Sequence, residues 1–442
     1  MSEYAAPREW WRAPQHAEGA VAPAVAIRSG DTAAFVGLIA FTMILLLAPQ
    51  EWFPAIKSLR IAMLAAGAAL AAHLIARAFG TVHALPVRRE MVLALALILW
   101  AAITIPLSIW PGGSWSALSD HLVKAVIFFW LIGTVVTTRR RLEGFLWVLT
   151  LCSIPLAATA LSNYWAGNFI THATSSVQRI AGYVGGAGLA GNPNDLALML
   201  NLVAPLTGAL FVITRQPWLR LIALAALMLT VAAVIATFSR AGFITLAVIS
   251  VAAFAAMVRR GALIAAVILV FLLLGAFVLI PDQYFHRLST IANIEADTTG
   301  SAQGRWDDYF VAVEYIRQHP VTGAGLGQDL LALNATRGHS TWRSVHNAYL
   351  QAGVDLGLPG LALLLALLVA SFANARRVRR RALRFSHLRD LGVIASGVHL
   401  SLLAFTVASF FHPIAYQFYF FCLAGLAVAL VNAHRAEVRT AS

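Results

Sequence analysis

Charged residues are scarce in this sequence, and acidic ones most of all. Only 12% of the 442 residues are charged, with 19 Asp and Glu against 32 Lys and Arg. A chain that is 60% hydrophobic, with a mean hydropathy of +0.77, is not a soluble globular protein. Cysteine is nearly absent as well. Cys152 and Cys422 both lie within apolar runs, which argues against a disulfide framework and against a cysteine-based metal site.

Apolar runs of about 20 residues, the length of a transmembrane helix, recur along the whole chain. Their continuous Ala, Leu, Val and Ile content is typical of helices and not of the alternating strands of a membrane barrel. The sequence therefore predicts an all-α, polytopic membrane protein with about 12 transmembrane helices. The predicted spans are 31–48, 58–78, 91–110, 119–138, 142–163, 193–213, 219–238, 241–258, 262–280, 347–370, 390–411 and 414–433.

The placement of the basic residues predicts the orientation. With the N-terminus inside, 22 of the 32 Lys and Arg fall in connections on the cytoplasmic side. This distribution also explains the net charge of +13, so nucleic acid is not an expected partner. We predict a cytoplasmic tail at 1–30, helices 1–9 within 31–280, a large loop at 281–346 that faces outward, helices 10–12 within 347–433 and a cytoplasmic tail at 434–442.

The large loop is predicted to carry a surface helix at 304–318. Its apolar residues recur at spacings of three and four, which suits a helix on the bilayer surface or one that caps the bundle. These residues are Trp306, Tyr309, Phe310, Val313 and Ile316.

The residues around this helix predict a turn and raise the question of a metal. Pro320 ends the helix, and Gly323, Gly325 and Gly327 predict a tight turn in preference to a phosphate-binding loop. Asp307 and Asp308 are candidate metal ligands, but neighbours on a helix face different ways. The favoured prediction is therefore a site without a metal or other cofactor.

Ten basic residues fall on the predicted outer side, where the charge rule does not explain them. Snorkelling or pairing with loop carboxylates accounts for many such residues. Arg240 differs because it stands in a connection of a few residues between two apolar spans, where its charge must lie at the outer surface or point into the bundle. His346 and Asn347 stand at the entry of span 347–370. A histidine at such a position is ordinarily an interfacial anchor, but the neighbouring loop and arginines favour a functional role for His346.

A glycine-rich stretch at 181–197 follows Arg179. Its five glycines predict close backbone approach, and the alternatives are a flexible re-entrant loop or a packing seam between helices. Asn192, Pro193 and Asn194 then begin the next span, as a cap residue and a first-turn proline do. A helix N-terminus on the outer side is predicted to offer N–H donors to an anion.

Four segments together resemble the O-antigen ligase/polymerase superfamily of bacterial membrane proteins. They are QRIAGYVGGAGLAGNPNDLA at 178–197, FSRAGFITL at 238–246, GRWDDYFVAVEYIRQHPVTGAGLGQ at 304–328 and HNAYLQAGVDLGLPGL at 346–361. The resemblance implies a twelve-helix inner-membrane glycosyltransferase with a large periplasmic loop and a glycan donor on undecaprenyl pyrophosphate. Carried over position by position, it points to Arg240, Arg305 and His346, and also to Arg179.

The chemistry of these residue types fits that reaction. Guanidinium forks match phosphate oxygens, and a histidine accepts a proton near neutral pH. We hypothesise direct displacement at the anomeric carbon, with His346 as base and with Arg240 and Arg305 on the pyrophosphate. The further contacts predicted for the pyrophosphate or the glycan are Arg179, Asn192, Asn194 and Asn347. The predicted acceptor is the lipid A–core, and membrane lipid surrounds the chain.

Two other functions remain open from the residues. A polysaccharide polymerase would share the donor and the motifs and differ in its acceptor, which would be another lipid-linked glycan. A lipid-glycan exporter would also be a polytopic helix bundle, but its charges would line a central path from both sides of the membrane. The clustering of polar residues on the outer side favours surface chemistry.

Overall fold

The computed structural model describes residues 31–82, 87–170, 179–180, 182–183, 190–259, 261, 263, 301–338 and 342–441. The predicted tail 1–30, most of the span predicted at 262–280 and the loop residues 281–300 lie outside them. Ten of the described helices are long and apolar enough to cross a membrane. The prediction of a polytopic all-α membrane protein is confirmed.

The helices of the first half of the chain follow the apolar runs. They are α1 (Thr32–Leu47), α2 (Pro49–Trp52), a 3₁₀ turn (Pro54–Leu59), α3 (Ile61–Ala78), α4 (Arg89–Thr104), a 3₁₀ turn (Ile105–Leu107), α5 (Pro111–Ala117), a π turn (Leu118–Leu122), α6 (Val123–Val135) and α7 (Arg139–Trp165). A two-stranded antiparallel hairpin follows, in which β1 (Phe169–Ile170) pairs with β2 (Arg179–Ile180).

In the second half, the described residues form membrane helices on both sides of the loop and two helices within it. They are α8 (Pro193–Ile213), α9 (Pro217–Ala236), α10 (Arg240–Val258), the loop helices α11 (Ser301–Gln318) and α12 (Asp329–Thr336), then α13 (Ala348–Ala382), a 3₁₀ turn (Ser386–Leu388), α14 (Arg389–Ala408) and α15 (Phe418–Ala441).

The helix α13 continues to Ala382, about a dozen residues beyond the end of the span predicted at 347–370. The hydropathy falls after residue 370, but the buried face does not end there. Ala375, Val378 and Ala382 recur at helical spacing and stay buried, and arginine, which fills the positions between them, is a good helix former.

Burial separates central helices from peripheral ones. In α8 and in α15, 78% of the most apolar 18-residue stretch is buried inside the protein. The corresponding share is 17% for the span 54–78, which contains α3. The central helices are apolar on all sides because they contact protein all round, whereas α3 turns most of its surface to lipid.

Three helices begin, and one ends, at the same end of the bundle, which we call the site end. Ser239, just before α10, donates from Oγ to Asn194 Oδ1 in the first turn of α8 at 2.9 Å. The amide of Ala348, the first residue of α13, donates to the carbonyl of Ser409 just after α14 at 2.8 Å. The Tyr349 hydroxyl donates to Thr406 O at 3.0 Å. The site end therefore joins α8, α10, α13 and α14.

The turn between α11 and α12 is fixed to α13 through the backbone. Ala324 N donates to Val354 O at 2.7 Å, and Gly325 N donates to Asp355 O at 2.8 Å. These carbonyls are accessible because α13 breaks at Gly357, where φ is 67°. Gly323, Gly325 and Gly327 all have positive φ, which confirms the predicted tight turn. A Cβ on Gly325 would lie 2.0 Å from Ser108 Oγ, so only glycine fits this approach.

The helix predicted in the loop is confirmed as α11. Its buried face is formed by Asp308, Ala312 and Tyr315, at spacings of four and three. Trp306 and Phe310 lie on another face, 53% and 60% exposed, with their rings edge to face at 5.4 Å. An exposed apolar stripe on a partly buried helix suits a position at the bilayer surface.

Candidate functional site

A strained turn places Arg240. The connection between α9 and α10 is only three residues long, and Phe238 within it has a φ of 53°. The left-handed conformation costs a non-glycine residue about 1–2 kcal/mol. The buried Phe238 ring packs against Tyr164 at 6.0 Å and Phe169 at 6.4 Å, and this packing holds the turn. Arg240 thereby becomes the first residue of α10, partly exposed, and Ser239 caps the helix by accepting from Gly242 N at 3.2 Å.

Asn192 is the N-cap of α8. Its Oδ1 accepts from Asn194 N at 2.9 Å and from Asp195 N at 3.0 Å, and its Nδ2 donates to the Asp195 carboxylate. The first amides of α8, which the sequence predicts as donors to an anion, therefore already have an acceptor within the protein. Asn194 Oδ1 accepts from Ser239 Oγ, and this hydrogen bond links the start of α8 to the turn that carries Arg240.

The glycine-rich stretch makes the close backbone approach that its composition predicts. A Cβ on Gly182 would lie 2.0 Å from Gly191 O, and Tyr183 N donates to Ala190 O at 2.9 Å. Residues 184–189 lie outside the described part of the chain. Arg179 belongs to β2, where its backbone pairs with that of Ile170. Because Phe169 of the same hairpin contacts Phe238, the hairpin lies beside the turn that carries Arg240.

His346 precedes α13 and is partly buried. Its Nδ1 lies 3.0 Å from Ser344 O, and since a carbonyl can only accept, Nδ1 carries the proton and Nε2 holds the lone pair. Burial lowers the pKa of His346, and the positive charge of Arg305 lowers it further. His346 is therefore neutral at pH 7, with an acceptor nitrogen near a guanidinium.

Asn347 caps α13. Its Oδ1 accepts from Tyr349 N at 2.9 Å and from Leu350 N at 3.1 Å, and the residue is 4% exposed. This contact fixes where α13 starts and hence where His346 lies. That Asn347 and Asn192 bind substrate stays a prediction. Their hydrogen bonds as helix caps are present in the structure.

A buried carboxylate that sequence reasoning missed holds the loop before His346. Asp329, 4% exposed at the start of α12, accepts from Ser344 Oγ and from Val345 N at 3.2 Å. Burial raises the pKa of Asp329, and these hydrogen bonds oppose the shift. Asp329 fixes Ser344, and Ser344 O orients the His346 ring. The available sequence signal was an acidic residue at the first turn of a short apolar helix.

Asp308 is engaged by two arginines of the same loop. It is fully buried and accepts from the Arg337 guanidinium and from Arg343, whose Nε lies 2.7 Å from Oδ2. Arg337 and Arg343 are therefore not ordinary loop charges. Asp307, its neighbour, is exposed and accepts from Gln303 at 3.1 Å. In the part of the chain that the structure describes, no three His, Cys, Asp or Glu residues are grouped as metal ligands would be.

A second histidine, also missed from the sequence, lies beside the first. His412, 4% exposed, follows α14 and bonds through Nδ1 to Ala408 O at 2.9 Å. Burial lowers the pKa of His412 to about 4, and the positive charge of Arg305 and the neighbouring His346 ring contribute to the shift. His412 carries no motif, and it reaches the site because the end of α14 is bonded to the start of α13.

The structure thus brings together most of the residues that the motifs selected. Arg305 and His346 meet near His412, and Arg240 is tied to Asn194 through Ser239. Two cations, a neutral histidine and three capped helix N-termini share the site end. Such an arrangement can hold an anionic group and accept a proton from a hydroxyl beside it.

The described helices form a polytopic helical membrane protein with the candidate site at one end of the bundle. Residues 200–365, which contain Arg240, Arg305 and His346, match the family described as O-Antigen ligase. Residues 23–162 match a family of unknown function (DUF5935). No curated protein matches the chain.

Proposed function

We propose that this chain is an O-antigen ligase. It transfers a glycan from undecaprenyl pyrophosphate to a sugar hydroxyl of the lipid A–core. It acts in a bacterial inner membrane, with both termini in the cytoplasm and the site end facing the periplasm. The proposal combines the family match over residues 200–365 with the chemistry of the site residues.

The reaction is a single displacement. The acceptor hydroxyl oxygen bonds to the anomeric carbon, and the bond from that carbon to the pyrophosphate oxygen breaks. The hydroxyl proton passes to Nε2 of His346. Negative charge develops on the departing undecaprenyl pyrophosphate, where Arg240 and Arg305 are proposed to bind its oxygens. Arg179 and Asn194 are proposed as further contacts to the donor.

The observation that carries the proposal is the state of His346. Ser344 O fixes the proton on Nδ1, so Nε2 is available as a base. Burial lowers the pKa of the ring, the charge of Arg305 lowers it further, and Arg305 is proposed to bind the leaving pyrophosphate beside this base. A base and an anion-binding group side by side are the two requirements of this displacement.

The lipopolysaccharide gel of a deletion strain tests the proposal. Loss of a ligase removes all O-antigen bands from the lipid A–core while lipid-linked polymer accumulates. A strain that keeps a single repeat on the core would instead identify the chain as the polymerase of the same superfamily. Complementation by His346→Ala at wild-type efficiency would contradict the assignment of the base.

Labelling of single introduced cysteines tests the orientation. Positions near 340 should react with a membrane-impermeant reagent from the periplasm, and positions near 383 should not. Reaction near 383 in intact cells would reverse the proposed topology.

A further inference from the structure

The end of the bundle opposite the site carries a dense group of arginines, which we call the basic segment (residues 376–389). It contains seven arginines and no acidic residue. Six of them are exposed, namely Arg376, Arg377, Arg380, Arg381, Arg384 and Arg389. Asp390, the next residue, pairs instead with Arg139 at 2.6 Å. The proposed reaction uses none of these residues.

The geometry of α13 places the basic segment at a membrane surface. From Pro359, after the break at Gly357, to Ala375 the helix rises about 25 Å. The hydrocarbon core of a bilayer is about 30 Å thick, so the first arginines lie at its boundary. The next membrane helix, α14, begins at Arg389, the last arginine of the segment, so both ends of the segment lie at the same surface.

The arginines point away from the protein. Val378 and Ala382 are buried against the bundle, and the exposed arginines occupy the other face of the last two turns of α13. Arg376 and Arg380 are four residues apart, as are Arg377 and Arg381, and like charges at this spacing repel. An anion between them removes that repulsion.

Neighbouring elements bring further arginines close to the segment. Burial lowers the pKa of Arg88, just before α4, and the charges of Arg435 and Arg377 lower it further, while Glu90 opposes them. Two apolar side chains stand among the arginines, since Leu383 is 37% and Phe385 is 54% exposed. Guanidinium groups interleaved with exposed apolar side chains match a surface that offers phosphates above hydrocarbon.

We propose that the basic segment binds the headgroups of anionic phospholipids. The guanidinium groups contact the lipid phosphates, and Leu383 and Phe385 enter the boundary between headgroups and acyl chains. The segment thereby fixes the depth of α13 in the bilayer. This inference does not depend on the reaction proposed for the site end.

Native mass spectrometry of the purified protein in micelles with equal amounts of phosphatidylglycerol and phosphatidylcholine tests it. The wild type should retain phosphatidylglycerol in preference to phosphatidylcholine. Each arginine near a membrane surface contributes about a fivefold preference, so the triple variant Arg377→Gln, Arg380→Gln, Arg381→Gln should lose at least tenfold. The control triple Arg215→Gln, Arg220→Gln, Arg259→Gln removes the same charge from exposed arginines at other helix ends, which are not clustered, and should lose clearly less of the preference.

Three outcomes would overturn the proposal. They are equal retention of both lipids by the wild type, equal losses in the two triple variants, and displacement of phosphatidylglycerol by free glycerol 3-phosphate, which would indicate a site for a soluble anion. If the first triple variant does not fold, the wild type alone decides. Its preference should fall as the ionic strength rises, and a preference that salt does not change contradicts binding through surface arginines.

Discussion

The Arg343 guanidinium lies across both carboxylate oxygens of Asp308, with Nε 2.7 Å from Oδ2 and Nη2 2.8 Å from Oδ1. Asp308 is fully buried and belongs to α11, whereas Arg343 lies close before α13. Nη2 of Arg343 also donates to Gly304 O at 2.8 Å. This bidentate pair, together with Arg337, ties the two ends of the described loop together immediately beside Arg305.

Asp308→Ala is expected to destabilise the protein, because it leaves two arginines without their buried acceptor. Breaking a buried ion pair by removing one partner costs about 3–5 kcal/mol. The adjacent, exposed Asp307 provides the control, and Asp307→Ala is expected to change stability by less than about 0.5 kcal/mol. Thermal unfolding in detergent measures both, and equal effects would contradict the assigned roles.

Arg240→Lys is expected to be nearly as inactive as Arg240→Ala while the protein still accumulates in the membrane. Lysine keeps the charge but not the planar fork that matches a pyrophosphate. Losing such a contact in the transition state lowers the rate by about 30- to 1000-fold. Arg317, whose side chain is 77% exposed beside Glu314, is the control and should tolerate lysine. Ligation at the wild-type rate by Arg240→Lys would return Arg240 to an interfacial anchor.

The acid limb of the rate profile should lie below the ordinary histidine pKa of about 6.5, because burial and Arg305 lower the pKa of His346. A base must be neutral, so the rate falls as the pH drops through that pKa. Arg305→Gln removes the positive charge, raises the pKa and should move the acid limb to higher pH. The residual activity of the variant is measured from pH 4 to pH 8. A limb that stays in place, or moves to lower pH, would contradict the pairing of Arg305 with His346.

Asp329→Ala should lower kcat by roughly 10- to 100-fold with little change in the KM for the donor, because the Ser344 loop loses the group that orients His346. Ser344→Ala removes one of the two hydrogen bonds and keeps the carbonyl that holds Nδ1, so its loss should be smaller. Steady-state kinetics of the two variants separate positioning from substrate binding. A rise in KM at constant kcat would instead place Asp329 in donor binding.

Activity should survive treatment with EDTA, because the proposed mechanism stabilises the leaving group with arginines and because Asp308 is already bound by two of them. The measurement is turnover by purified protein before and after chelation. Loss of turnover that magnesium or manganese restores would require metal ligands at the site and would reopen the role of Asp307.

The membrane helices were predictable from the sequence because lipid offers the backbone no hydrogen-bond partner, so apolar runs must be helices. The span predicted at 193–213 coincides with α8, and the turn at Gly323 to Gly327 follows from local chemistry. The end of α13 was not predictable from hydropathy, since Val378 and Ala382 are buried by tertiary contacts among arginines.

The site was predictable only in part. Residues that stand in local sequence motifs could be predicted, whereas residues positioned by contacts between distant elements could not. Arg240, Arg305 and His346 stand in short motifs and could be selected directly. Asn192 shows its capping role in its local pattern, with Asp195 three residues on, yet that pattern also suits an anion site. His412 reaches the site through a contact between distant elements, the bond from Ala348 to Ser409, and no local pattern indicates it, whereas Asp329 shows only the weak signal of an acidic residue at the start of a short helix.

The backbone bonds from the turn at Gly323 to Gly327 onto residues 354 and 355 give the loop a thermodynamic role. A flexible loop with no contacts to the bundle would lose conformational entropy each time a donor and an acceptor bound. In this protein that loss occurs once, during folding, and the groups of α11 and α12 already stand in place when substrate arrives. In the proposed reaction, the binding energy of donor and acceptor is then left for aligning the hydroxyl with the anomeric carbon, and the amides of α11 and α12 should exchange hydrogen as slowly as those of the membrane helices.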